Sequence, residues 1–227
     1  MNEYCYSYCL NNPLKYKDPD GQRYRDLDDW YEDENGVIKW TDYKSQKEMD
    51  DNNLKGKYLG ESVVVFNGSL NEKLGTNDNL FGMGAYLAEV VVYGSTNSND
   101  IGNYKGFTMS SDPASFGVLA DGDYLVNRLN ANEKRGPYGS DLIIENRNAK
   151  LPAMNDFNPA YSDRKPGYLD GVFIHRSNND GWAGTYKMNG KLRGVSEGCL
   201  LISPNDWNSF NNQLKTENSI YLKLYRQ

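Results

Sequence analysis

The sequence predicts a mainly β protein, a sandwich or barrel with a few short helices and an extended N-terminal segment. Three observations carry that expectation. Short apolar runs rich in β-branched and aromatic residues recur at Val63–Phe66, Leu87–Tyr93, Phe107–Met109, Tyr124–Val126, Leu142–Ile144, Val172–Ile174 and Leu200–Ile202. The intervals between them are punctuated by Gly, Asn-Gly or Asp-Gly, residues that accept the dihedrals of tight turns. No strand–helix–strand alternation is visible, so a doubly wound parallel sheet is not expected.

Taken in order, Met1–Tyr24 alternates tyrosines through Tyr4, Tyr6 and Tyr8, breaks at Pro13 and Pro19, and ends in Asp20-Gly21. Such a strand needs a partner surface to bury its rings. The pattern Tyr6-Ser-Tyr8-Cys-Leu-Asn11-Asn12-Pro13-Leu14 followed by Asp18-Pro19-Asp20-Gly21 resembles the closing segment of the Rhs-repeat-associated core. In that family the core forms a shell carrying a variable C-terminal toxin domain, exported by a contact-dependent or type VI secretion route. The resemblance implies an Rhs shell in a longer parent chain, delivery to the periplasm of a target bacterium, and an immunity protein as partner. Cys5 and Cys9 read as packed or solvent-near thiols; a metal site is the alternative, and one histidine in the chain makes its ligand set hard to assemble.

Residues 25–57 read as an acidic linker, with Asp26, Asp28, Asp29, Glu32, Asp33 and Glu34 crowded before Gly36. Residues 1–60 hold 13 acids and 9 bases, which places −4 of the net −6 there and favours an extended, self-repelling chain. A docking surface for a basic partner is the functional alternative. Trp40, Tyr43 and Lys47 fall at near-helical spacing and predict one short amphipathic helix.

The remaining residues, 58–227, form the expected catalytic domain. Ser203-Pro204-Asn205-Asp206 has the chemistry of a helix start, with Ser203 as cap, Pro204 in the first turn and Asp206 at the positive end of the dipole. Trp207, Phe210 and Leu214 share a face of that helix. Ile220, Leu222 and Leu224 alternate with Tyr221, Lys223 and Tyr225, a half-buried terminal strand.

Composition excludes several function classes. With net charge −6 and no cluster of Lys and Arg, nucleic acid is not an expected partner. No apolar run reaches the roughly 18 residues that a membrane span requires. The N-terminus lacks a charged-then-apolar leader, so a protein working outside the cytoplasm would need a specialised export route. Three cysteines do not make a disulfide scaffold, and no cofactor or metal motif is present.

Chemistry concentrates between Gly171 and Trp207. Val172-Phe173-Ile174 delivers His175, the chain's only histidine, at a strand end; Gly198-Cys199 opens the run Leu200-Leu201-Ile202. Neighbouring strands would bring the imidazole and the thiol together across 24 positions. An imidazole can take the proton of a thiol that is mostly protonated at neutral pH, making His175 a general base and Cys199 a nucleophile. Gly198 allows close backbone approach, and the N–H groups of Gly198 and Cys199 would face a developing oxyanion. A buried cysteine and a satisfied histidine would otherwise be inert core residues.

Ile174-His175 followed by Ser196-Glu197-Gly198-Cys199-Leu200 resembles the L,D-transpeptidase (YkuD-type) signature, a histidine and then Ser/Thr-His-Gly-Cys. That resemblance implies a mostly β L,D-transpeptidase-like fold, His175 as base, Ser196 and Gly198 as motif residues, and Cys199 acylated by peptidoglycan stem peptides. Glu197 stands where the family carries a second histidine, and Leu201 where a polar residue follows the cysteine. A related group of phage-like and secreted proteins with His-x-x-Asn and Ser/Thr-Glu-Gly-Cys is closer, since this chain has His175-Arg-Ser-Asn178 and Ser196-Glu-Gly-Cys199. Ala120-Asp-Gly122-Asp-Tyr124-Leu-Val126 is also similar to a turn and strand of the family, and equally to an ordinary hairpin. Between the two site strands, residues 178–190 predict a glycine-rich flap or hairpin. Its Trp182 and Tyr186 would cover a bound peptide, and Arg176 or Arg193 would pair with a substrate carboxylate. Transferase and hydrolase outcomes remain open, as does a non-catalytic cell-wall-binding or structural module on a degenerate form of the fold.

Overall fold

The computed structural model describes residues 16–17, 25–26, 29–73, 86–108, 117–154, 168–177, 185–188, 191–194, 196 and 198–227. The chain divides into two compact units, 1–63 with 93–101 and 64–92 with 102–227. In the first, β1 (Tyr16–Lys17) pairs antiparallel with β2 (Arg25–Asp26). Most of the Tyr-rich opening, including Cys5 and Cys9, lies outside the described residues.

The acidic stretch is folded, unlike the extended linker its charge suggests. β3 (Asp29–Glu32), β4 (Ile38–Thr41) and β5 (Lys57–Gly60) form an antiparallel sheet in the order β4-β3-β5. The carboxylates do local work that offsets their repulsion. Asp33 accepts backbone N–H groups of Asn35 and Val37, closing the β3–β4 turn, and pairs with Lys39 at 2.6 Å. Trp30 is buried, donates through Nε1 to the Gly94 carbonyl at 2.9 Å, and meets Trp40 and Tyr93 edge-on. These three rings supply the apolar area that composition concealed. The expected helix starts later than its aromatic spacing implied. It is α1, Gln46–Asp51, capped by Ser45, whose Oγ accepts the Glu48 N–H; Trp40 belongs to β4.

The second unit is built on a closed barrel. Its strands are β6 (Val63–Lys73), β7 (Tyr86–Tyr93), β8 (Ile101–Phe107), β9 (Gly122–Arg128) and β10 (Leu142–Ile144), followed, after a short antiparallel ladder of β11 (Leu151–Pro152) and β12 (Tyr168–Leu169), by β13 (Phe173–Arg176). A hairpin of β14 (Thr185–Met188) and β15 (Lys191–Gly194) then precedes β16 (Leu200–Ile202), the helix α2 (Trp207–Gln213) and the last strand β17 (Ser219–Arg226). The barrel closes in the order β10-β13-β16-β8-β7-β6-β17-β9. The expected class, a mainly β sandwich or barrel with few helices, thus resolves to a barrel of eight strands.

Alternation sorts the faces. Ala88, Val90 and Val92, then Ile174, then Leu200 and Ile202, then Ile220, Leu222 and Leu224 enter one core cluster. Their odd-numbered neighbours lie on the outer face by the period-two rule, exposed or half-buried along β7 and β17 but buried along β13 and β16. Strand β6 continues through Asn67-Gly68, where the sequence predicts a stop. A Cβ on Gly68 would fall 2.3 Å from Thr108 Oγ1, so this glycine makes room for the Thr108 side chain. At the site the pairing is parallel, β13 running alongside β16 with Ile174 opposite Leu200 and His175 opposite Leu201. The expected helix start is also shifted. Residues 204–206 form turns, α2 begins at Trp207, and the Asp206 carboxylate accepts the Lys105 N–H at 2.8 Å instead of capping its own helix. Phe210 and Leu214 are buried as their spacing predicts.

Candidate active site

The parallel pair of strands sets the geometry. Cys199 lies one step before Leu200, so it falls beside Phe173, whose backbone N–H donates to Cys199 Sγ at 3.4 Å. His175 follows Phe173 by two residues and therefore emerges on the same, outward face, while Ile174 and Leu200 point into the core. The two side chains are diagonal neighbours on adjacent strands, a relationship that separates backbones by roughly 7–8 Å. The observed parallel register places them so; a slip by one residue would send one of them into the barrel.

The loop before Cys199 is tied to it. Ser196 is buried and its hydroxyl donates to the Cys199 carbonyl at 2.5 Å. Gly198 has φ of 106°, and a Cβ there would press on Leu169 Cδ1 at 3.0 Å. The backbone conformation favours glycine at that position, and any side chain would also have to displace the tip of Leu169.

The electrostatics of His175 follow from its burial. It is only 1% exposed, and desolvation lowers its pKa from 6.5 to about 4 against a hydrogen bond to the Arg176 carbonyl that raises it. His175 Nδ1 lies 2.7 Å from that carbonyl oxygen, which can only accept, so the proton sits on Nδ1. Nε2 carries the lone pair. It is buried and has no hydrogen-bond partner among the described residues. A neutral imidazole with its basic nitrogen unoccupied is suited to take a proton from an approaching acid.

Residues without a signal in the sequence reading complete the surroundings. The Pro137–Gly139 turn packs on β13, and its Tyr138 ring lies 5.8 Å from the His175 ring, tilted by 31°. Tyr138 adopts φ of 52°, a left-handed conformation uncommon for a bulky residue. Ser140 Oγ, buried, donates to the Ile174 carbonyl at 2.6 Å and accepts the Leu142 N–H at 3.2 Å, pinning the turn to the site strand. The flanking glycines and proline of Gly136-Pro137-Tyr138-Gly139 are the available signal, and they announce a turn without saying what it covers.

The expected substrate-binding residues separate into three groups. The Arg176 guanidinium stacks over the Tyr138 ring at 4.6 Å. Tyr186 of β14 and Arg193 of β15 are direct register partners in the predicted hairpin. Trp182 and Glu197 lie outside the described residues. No group of three or more metal-ligating side chains occurs among the described residues, and no helix there is long and apolar enough to cross a membrane. Comparison of the chain with protein-family models, curated proteins and solved structures finds no match in any of the three.

Proposed function

We propose that the barrel unit is a cysteine acyl-transfer catalyst of the L,D-transpeptidase type, acting on peptidoglycan stem peptides as the toxic domain of a delivered antibacterial effector. The observation that carries this reading is the placement of Cys199 and His175 on one outward face of the β13–β16 pair, with the lone pair of His175 Nε2 unengaged. In the first half-reaction Cys199 Sγ bonds to the substrate carbonyl carbon while its proton passes to Nε2. Collapse of the tetrahedral adduct breaks the C–N bond, and the proton leaves with the amine. The resulting thioester is then attacked by water or by a second amine, His175 taking the attacker's proton and the thiol regaining one. Arg176, Trp182, Tyr186, Arg193 and Glu197 are the proposed contacts to the peptide. The Rhs-like opening segment supports export in a longer parent chain and neutralisation by an immunity protein in the producing cell.

A second reading has its own support. His175 is almost fully buried beside Tyr138, as in a domain that keeps the fold as a non-catalytic wall-binding module. Incubating purified muropeptides with wild type and with Cys199→Ala separates the two. Wild type is expected to yield shortened or exchanged stem peptides that Cys199→Ala does not. Identical product profiles would leave the binding module standing.

A further inference from the structure

The described part of the second unit holds a cavity of about 490 Å³ away from the cysteine. Glu89 and Val91 of β7, Asn103 and Lys105 of β8, and Ser203 and Asn205 after β16 line it. Its volume is within the range of small-molecule sites. Its position is set by strand parity. Ala88, Val90 and Val92 enter the core, so Glu89 and Val91 face outward; Ser203 shares the outward parity of Cys199 and Leu201 on the same chain segment. Four residues of extended chain from Cys199 to Ser203 span about 13 Å. The cavity and the Cys199–His175 pair therefore lie along one continuous barrel face.

The chemistry of the walls selects a ligand class. Among the described residues, the side chains of Glu89, Asn103, Lys105 and Asn205 have no hydrogen-bond or ionic partner. Two carboxamides offer donors and acceptors together, which match hydroxyl groups that both donate and accept. Asp206 spends one carboxylate oxygen on the Lys105 N–H and keeps the other. Two carboxylates against one ammonium repel an anion such as a phosphate. The unpaired carboxamides would be costly to bury against an apolar ligand. Val91 gives an apolar wall for the face of a ring. We infer that this cavity binds a neutral saccharide unit, holding the glycan while Cys199 addresses a peptide attached to it. The wall chemistry selects the saccharide; the identity of the glycan rests on the peptidoglycan reading above.

The test uses the full chain and a tetrasaccharide of N-acetylglucosamine, followed by nuclear magnetic resonance. Saturable shifts of the Asn103 and Asn205 side-chain amides are expected. Binding should weaken about tenfold in Asn103→Ala and in Asn205→Ala, the loss that one or two hydrogen bonds bring. Cys199→Ala should bind as wild type does. Shifts confined to other residues, no saturable binding, or capture of free stem peptide in place of the saccharide at these amides would overturn the inference. Should thiol-dependent processing of muropeptides persist while saccharide binding fails, only the cavity assignment falls. Saccharide binding that persists without thiol-dependent chemistry leaves the cavity assignment intact and removes the catalytic reading.

Discussion

At the scale of single residues, His175 determines how the candidate site responds to acid. Its pKa of about 4 in the folded chain lies below the 6.5 of an unperturbed imidazole, because burial disfavours the charged ring. Between those values the unfolded chain binds a proton that the native one refuses. The contribution is therefore fully present above pH 6.5 and is lost as pH falls toward 4, amounting to roughly 3 kcal/mol. Urea unfolding of wild type and His175→Gln at pH 7.5 and pH 4 should show the wild type losing about that much more than the variant. Equal losses would mean that the native imidazole is already charged at pH 4. As the chain's only histidine, its ring signal also gives the titration directly, and a midpoint near 6.5 would contradict the burial argument. The identities of the imidazole and the thiol, and the strand ends that carry them, were legible in sequence. That the imidazole would be dry was not, because the covering group is Tyr138, more than thirty positions away and in a backbone conformation that its residue type disfavours.

Among the elements, the Pro137–Gly139 turn is held to β13 by one buried hydroxyl. Removing it leaves the Ile174 carbonyl and the Leu142 N–H short of a partner in a dry environment. Ser140→Ala should cost roughly 1–3 kcal/mol. Denaturant midpoints measure the loss, and Ser140→Thr, which restores the hydroxyl, should recover part of it. A neutral Ser140→Ala would show that the turn is held by the Phe173 contact alone, where Gly136 packs so closely that a Cβ would lie 2.4 Å from Phe173 Cδ1. Elements with strong local signals were readable. The apolar runs at Leu87–Tyr93, Leu142–Ile144 and Leu200–Ile202 became β7, β10 and β16, and Ile220, Leu222 and Leu224 alternate into the core as expected. Failures came where a long-range partner overrode a local one. Asp206 left its helix for the Lys105 backbone, and Gly68 served packing with Thr108 instead of a turn. Among the acids of residues 29–34, Asp33 was absorbed by a turn and by Lys39, and Asp29 by Tyr58 and Lys44.

For the whole barrel, the ring is completed by β9 pairing with β10, and β17 fills the place between β6 and β9. A sandwich and a barrel share the same alternating strands, so sequence left both open; the difference is a set of pairings between residues about a hundred positions apart. Leu222 opposite Tyr124 is one such pairing. Arg226, at the end of β17, secures this closure with a side chain that is fully buried. Its guanidinium pairs with Asp121, donates from Nη2 to the Thr108 carbonyl at 2.9 Å and from Nε to Thr108 Oγ1 at 3.1 Å. Desolvation lowers its pKa, with Asp121 acting in the opposite direction, so the charge is tolerated because it is paired. Asp121 is 42% exposed, which discounts the ionic part. Truncation removes both the paired charge and the packed stem, so Arg226→Ala should lower stability by roughly 2–4 kcal/mol. Arg226→Met keeps most of the stem and removes the desolvated charge, and should cost about half as much. Guanidinium unfolding of both variants distinguishes the contributions. Equal losses would assign the effect to the hydrogen bonds to Thr108, whereas no loss in Arg226→Ala would mean that the barrel closes through backbone pairing of β17 alone.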